Sequence, residues 1–389
     1  RQINKLNLIN QSPPMMSVPP LYLDNNATAP LREAARIAMQ EAMGPPANPS
    51  SVHGFGRAAR LQVEDARKAV AGLAGCRAGD VVFTSGGTEA NNLVLGQYHH
   101  IISTQIEHDS VRAAHENISF VKVLPDGRVD CDDLRHHATA LSEAERATSL
   151  ISIMAANNET GVLQPIREIA ERVTAHGSIL FCDGVQAAGK IPLSVEDLGC
   201  DAFAVSAHKI GGPMGVGALV VRAGLVVPPS IAGGGQELGR RGGSENVSGI
   251  VGFGLAAELS AGELALGAAL AGKRDRMEAD LRAAMPDVCI FGADAPRLPN
   301  TSCFGLAGLH GETVVMALDL AGISVSAGAA CSSGKVSRSH VLDAMGVKHD
   351  VSNGAIRVSL GRDTDDAAVD RLVENWLKLA AKLEHAAAQ

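Results

Sequence analysis

A chain of 389 residues that is 46% hydrophobic can bury a large core, and its length points to two domains or to one large domain with an appendage. The 34 Lys and Arg against 42 Asp and Glu leave a formal charge of -8 with no sustained basic run, which argues against nucleic-acid or anionic-membrane partners. The seven cysteines form neither a CxxC pair nor a Cys/His cluster at ligand spacing, which disfavours a disulfide framework and any metal site and fits a reducing, cytoplasmic compartment.

Residues 1–20 hold no acid, two basic residues and a Pro-rich end. They are set aside as a disordered or foreign leader, with Met15 or Met16 as the natural start; a transit peptide so poor in Arg is the weaker alternative. From Leu21 onward short apolar runs alternate with helical periodicity. Candidate strands are Val81–Thr84, Ile101–Thr104, Phe120–Leu124, Leu150–Met154, Ile179–Cys182, Ala202–Val205 and Ala218–Val221. Candidate helices are Arg32–Met43, Arg57–Ala74, Glu89–Tyr98, Val111–Glu116 and Ile166–His176. This alternation predicts an α/β fold with a mostly parallel sheet covered on both faces, where ligands gather at the carboxyl ends of the strands.

Beyond Gly249 the pattern shifts. The apolar stretch Ile250–Gly272 is interrupted by Glu258 and Glu263 and reads as a helix with one buried face, not a membrane span. One long helix is expected over Leu255–Ala284, then short strands, a helix over Gly311–Leu320 and a last one over Asp366–Ala387. The last puts Val369, Leu372, Val373, Trp376 and Leu379 on one face, with Thr364 as its cap and Asp365 and Asp366 in the first turn. The expected division is a large domain over 21–255, its first residues packing with the other domain, and a smaller α+β domain over 256–389.

Five motifs fall where strands end. Thr84-Ser85-Gly86-Gly87-Thr88-Glu89 opens a helix, so backbone N–H groups at Gly86 and Gly87 with the Thr88 hydroxyl make a phosphate cradle; a Gly-Gly turn is otherwise commonplace, and no lysine stands in the P-loop place. His108 can lie flat on an aromatic ring or be a solvated loop histidine. Asn158 can hydrogen-bond a phenolic oxygen, or the Asn157-Asn158 pair can merely make a turn. Asp183 can keep a pyridine nitrogen protonated, or cap a helix, with Gln186 three residues on. Lys209, between an apolar strand and the turn Gly211-Gly212-Pro213, can become a neutral amine able to form a Schiff base, or stay a solvated lysine. Each is weak alone. Together they are the parts needed to hold pyridoxal 5'-phosphate.

These motifs, with Leu23–Thr28, Asn48–His53, Arg240–Asn246 and Ala329–Ser333, resemble the cysteine desulfurases of the nitrogenase/iron-sulfur type, within the class V aminotransferase family. The resemblance runs in order from about Leu21 to the end. It implies the pyridoxal-phosphate fold type I, with a seven-stranded large domain, and a homodimer whose site the partner subunit completes. By motif, Lys209 would bond the cofactor, Asp183 would face its ring nitrogen, His108 would stack on the ring and help move protons, and Asn158 and Gln186 would contact its oxygen side. Gly87, Thr88, Ser206 and His208 would hold the phosphate, with Ser244 reaching over from the other subunit. Asn25, Asn158 and Arg357 would bind substrate.

Two residues have a reading of their own. Cys331 sits in Ser324–Lys335, a run of small residues expected to pack poorly, where a thiol can reach a substrate and leave again; otherwise it is a small space-filler. By the resemblance it is the nucleophile that becomes a persulfide. Arg357 lies opposite Ile356, Val358 and Leu360 in a period-2 pattern, where a guanidinium can clamp a carboxylate or make a structural ion pair. Three positions depart from the family pattern: Met214 where lysine is usual, Ser244 for threonine, and Ala329 for serine. None removes a chemical role. The implied reaction takes sulfur from L-cysteine, leaves L-alanine and passes the persulfide to a sulfur acceptor such as an iron-sulfur scaffold protein. The alternatives are selenocysteine lyase or a small-amino-acid aminotransferase, and, in another class, an inactive scaffold for sulfur-transfer partners.

Overall fold

Strands buried on both faces need no polar alternation, and the large sheet is built from such runs. The computed structural model describes residues 19–46, 48–174, 177–328 and 338–387. After a short β1 (Leu21–Tyr22), the strands β2 (Val81–Thr84), β3 (His100–Thr104), β4 (Ile118–Val121), β5 (Ser149–Ser152), β6 (Ile179–Asp183), β7 (Ala202–Ser206) and β8 (Gly217–Val221) form one seven-stranded sheet in the order β2-β8-β7-β6-β5-β3-β4. Only β8 runs against its neighbours, so the carboxyl ends of the other six share one edge. That edge is where the five motifs lie.

Helices cover both faces: α1 (Glu33–Ala42), α2 (Gly54–Ala74), α3 (Gly87–Leu95), α4 (Cys131–Ala140), α5 (Ile166–Thr174) and α6 (Val247–Gly262). His53 accepts the Gly56 N–H at the start of α2, and Gly75 ends it in the left-handed region at φ 62°. The helix over Cys131–Ala140 was not anticipated; its signal is Asp130, which accepts from the N–H groups of Asp132 and Asp133. The stretch expected as a helix over Val111–Glu116 is only a short turn of helix at Asp109–Arg112.

The single long helix expected over Leu255–Ala284 is two, α6 and α7 (Leu266–Ala284), bent by 74°. Arg32, a buried residue 231 positions away in sequence, grips Glu263 in the break through two N–H···O bonds of 2.9 and 2.8 Å and also donates to Ser260 Oγ and Ile210 O. No local signal reports such a contact. The bend also separates two cores. Ile250, Phe253, Ala256 and Ala257 of α6 pack into the large-sheet core, whereas Met277 and Leu281 of α7 belong to the second. Among the described residues no single helix is long and apolar enough to cross a membrane.

The second core lies under an antiparallel sheet of β9 (Cys289–Ile290), β10 (Thr301–Gly305), β12 (Ser326–Ala327) and β13 (Ile356–Ser359), while β11 (Ile323–Ser324) pairs with β1. Helices α8 (Gly311–Leu320) and α9 (Asp366–Ala387) coincide with the expected spans. Val369, Leu372, Val373 and Trp376 of α9 are buried, and Trp376 meets Phe304 edge to face with ring centroids 5.4 Å apart. Losing an aromatic so placed costs roughly 3–5 kcal/mol. The cap of α9 is Asp365, which accepts the Ala368 N–H at 2.8 Å, rather than Thr364, whose Oγ1 accepts from Gly361 N. The longer side chain reaches the third N–H of the helix while Thr364 closes the preceding turn.

Candidate active site

A cavity of about 400 Å³ opens at the shared edge, between the large sheet and the strand carrying Arg357. It is in the size range of small-molecule sites, roughly 300–1,000 Å³. Gly87, at the start of α3, has no room for a side chain: a Cβ there would lie 2.8 Å from Val185 Cγ2 and 3.8 Å from Ser206 Cβ. The helix N-terminus, with its unpaired N–H groups, thus comes down directly beside Ser206 at the end of β7. Thr88 and His208 line the same cavity. Burial, then the Lys209 and Lys190 charges, push the His208 imidazole down to about 4, so it is uncharged at pH 7; its Nδ1 lies 3.2 Å from Thr28 Oγ1.

Asp183 ends β6 and is followed by Gly184, where a Cβ would fall 1.8 Å from the Phe203 ring. That close approach turns the chain sharply and leaves the carboxylate in the cavity wall. Asp183 Oδ1 accepts the Val185 N–H at 3.0 Å and Oδ2 accepts from Asn91 Nδ2 at 2.7 Å, so the carboxylate both caps the turn and stands fixed. Asn91 also donates to Ser110 Oγ at 2.8 Å. Ser110 in turn lies 2.8 Å from His108 Nδ1, which accepts the Ser110 backbone N–H at 3.1 Å. The network therefore assigns the imidazole proton to Nε2. Next to His108 in the chain, Glu107 is fully buried; burial first, then Asp183, push its carboxyl well above the ordinary range, and it accepts the Met154 N–H at 2.8 Å.

Lys209 follows β7 in a single turn of 3-10 helix, and its Nζ donates to Asn26 O at 2.7 Å and Ala27 O at 2.8 Å. The two asparagines divide their work. Asn157 Oδ1 accepts from the N–H groups of Glu159 and Thr160 and makes the turn, while Asn158 lines the cavity. Across from it Arg357 is 2% exposed, donating from one nitrogen to Asp24 Oδ1 at 2.6 Å and Ser326 Oγ at 3.1 Å and from the other to Asn158 O at 3.1 Å. Its Nε has no hydrogen-bond partner among the described residues.

A model of the class-V aminotransferase family matches residues 21–372. The chain belongs to that family. A cysteine desulfurase of Trichormus azollae is 40% identical and covers 93% of this chain and 93% of its own length. The cysteine desulfurase IscS of Dictyoglomus turgidum is 40% identical over 93% of this chain and 95% of its own. The solved NifS-like protein of Rickettsia africae superposes with a TM-score of 0.86 at 32% identity, covering 93% of this chain and 99% of that one. The fold of this family member is accordingly fold type I.

Of the residues singled out from sequence, the cavity of this family member gathers Gly87, Thr88, His108, Asn158, Asp183, Gln186, Ser206, His208, Lys209 and Arg357. It does not gather Asn25 and Ser244. Asn25 turns its Nδ2 to Ser359 O at 2.9 Å and lines a neighbouring cavity instead. Ser244 is exposed, in the segment that Arg241 ties to Glu89 of α3 by a 2.9 Å ion pair. Cys331 and Ala329 lie outside the described residues. Asn26 and Asp24, within Leu23–Thr28, line the cavity too, as does Asn91, though none was given a role from the sequence. For Asn91 a signal existed: four residues beyond Gly87 on a helix, it shares that residue's face.

Proposed function

We propose that the chain is a pyridoxal-phosphate-dependent cysteine desulfurase, taking sulfur from L-cysteine and leaving L-alanine. One observation carries this reading: a lysine amine, a fixed aspartate, a histidine, a helix N-terminus and a buried arginine line one cavity of about 400 Å³. The donor set fits the cofactor. Uncharged donors and N–H groups at Gly87, Thr88, Ser206 and His208 suit its phosphate, the anchored Asp183 suits its ring nitrogen, and the buried Asn91 Oδ1, without a partner among the described residues, supports an occupant in this wall. Bound there, pyridoxal phosphate supplies an electron sink for the substrate's α-carbon.

The protein's own groups do the rest. Arg357 orients the substrate carboxylate, with Asn158 beside it. Lys209 would hold the cofactor and, once freed by substrate, move the α-proton. His108, proton on Nε2, would stand against the bound ring and relay protons. The Cys331 thiolate attacks the substrate sulfur: an S–S bond forms, the C–S bond breaks, and its electron pair stays on carbon, which takes a proton to become alanine. The persulfide on Cys331 is handed to a sulfur-acceptor or iron-sulfur scaffold protein in the cytoplasm. Purified chain with pyridoxal phosphate is expected to form alanine from cysteine, with one sulfide released per alanine when reductant is present. Transfer of the amino group to a keto acid instead would sink the reading.

A homodimer belongs to the same proposal. Val52, Phe55 and Leu61, at and on α2, are 87%, 58% and 60% exposed, an apolar load that a free surface rarely carries in one element. Ser244, exposed and outside the cavity of its own chain, then reaches the partner's phosphate end. Sedimentation equilibrium is expected to return twice the chain mass; a monomer with full turnover would refute the shared site.

A further inference from the structure

Lys190 follows Gln186 by four residues, and its side chain stands in the wall between the candidate active site and a neighbouring cavity of about 420 Å³. Its Nζ donates to Gln186 Oε1 and to Asn26 Oδ1, both at 2.7 Å. The N–H groups of a lysine only donate, so each contact decides which way round a carboxamide stands. Gln186 must present its oxygen to Lys190. Its Nε2 then faces the other way, with one N–H on Asn26 O at 3.0 Å and the second left for the contents of the cavity that Gln186 lines. Asn26, held by the same amine, turns its Nδ2 to Thr301 Oγ1 at 2.9 Å and Asn158 O at 3.2 Å. Its backbone oxygen receives Lys209 Nζ.

We propose that Lys190 is a positioning residue for the ring-oxygen side of the site, holding Gln186 so that an amide N–H, and not the amide oxygen, faces bound pyridoxal phosphate. The inference rests on the cofactor reading above. Two of its N–H groups serve these two acceptors. Burial, with the charges of Lys209 and Arg357 behind it, pushes Lys190 well below the ordinary lysine range. If the Gln186 amide were reversed, a carbonyl would oppose the cofactor's phenolic oxygen and affinity would fall on the order of tenfold.

Equilibrium dialysis of the full-length apoprotein tests this with two non-reactive ligands, pyridoxine 5'-phosphate and its analogue lacking the ring hydroxyl. Lys190→Met is expected to weaken pyridoxine phosphate about tenfold and leave the deoxy analogue within about twofold of wild type. The double variant Lys190→Met/Gln186→Ala is expected to bind no more weakly than Gln186→Ala, because two residues acting as a unit are not additive. Lys190→Gln, which keeps a donor N–H, is the second variant should the methionine not fold, and is expected to stay within about threefold of wild type for both ligands. Equal loss of both ligands, or no loss of either, overturns the role of Lys190. A wild-type chain that binds neither ligand overturns the cofactor reading itself.

Discussion

Lys209→Ala is expected to bind pyridoxal phosphate without forming a bond that borohydride can fix, and to make alanine from cysteine at least 10²–10⁴-fold more slowly, the range in which a positioned general base acts. The loss is not one of folding. Lys209 Nζ donates to two backbone carbonyls, Asn26 O and Ala27 O, and each such bond contributes only about 1 kcal/mol net. Peptide mapping after borohydride reduction is the check: wild type carries the label on Lys209 and the variant carries none. Label on another residue, or turnover within tenfold of wild type, would show that the amine after β7 is not the one that does the chemistry.

Cys331→Ala is expected to separate cofactor from sulfur transfer. The variant keeps the absorption band of the bound cofactor and its response to cysteine, because nothing in the described cavity changes, while sulfide release with reductant falls to background. Mass spectrometry after a single turnover places an added sulfur atom on Cys331 of wild type and none on the variant. Undiminished sulfide release would remove Cys331 from the mechanism and leave the rest of the site standing.

Much of this architecture was readable because its causes are local. Strands β2, β6, β7 and β8 are unbroken apolar runs with no polar face to hide, and α8 and α9 carry their own periodicity and stop signals. The site motifs were readable for a related reason. In a parallel sheet a residue at or just past a strand end must sit at the ligand edge, so Asp183 at the end of β6 and Lys209 after β7 are brought within one cavity by topology alone.

What stayed hidden depends on partners distant along the chain. The break between α6 and α7 falls just after Gly262, a weak helix former, and there Arg32 holds Glu263 across 231 positions. Asn91 was one more helix residue until the fold set it against Asp183, and Lys190 gained its partners Gln186 and Asn26 only once the chain was folded. Composition and strand ends were therefore enough to say which reagents the chain carries and on which edge of the sheet they stand. Their orientation and charge were decided by burial and by hydrogen bonds between segments hundreds of residues apart, since a carboxamide has no preferred way round, and a buried amine no ordinary pKa, until its neighbours are in place.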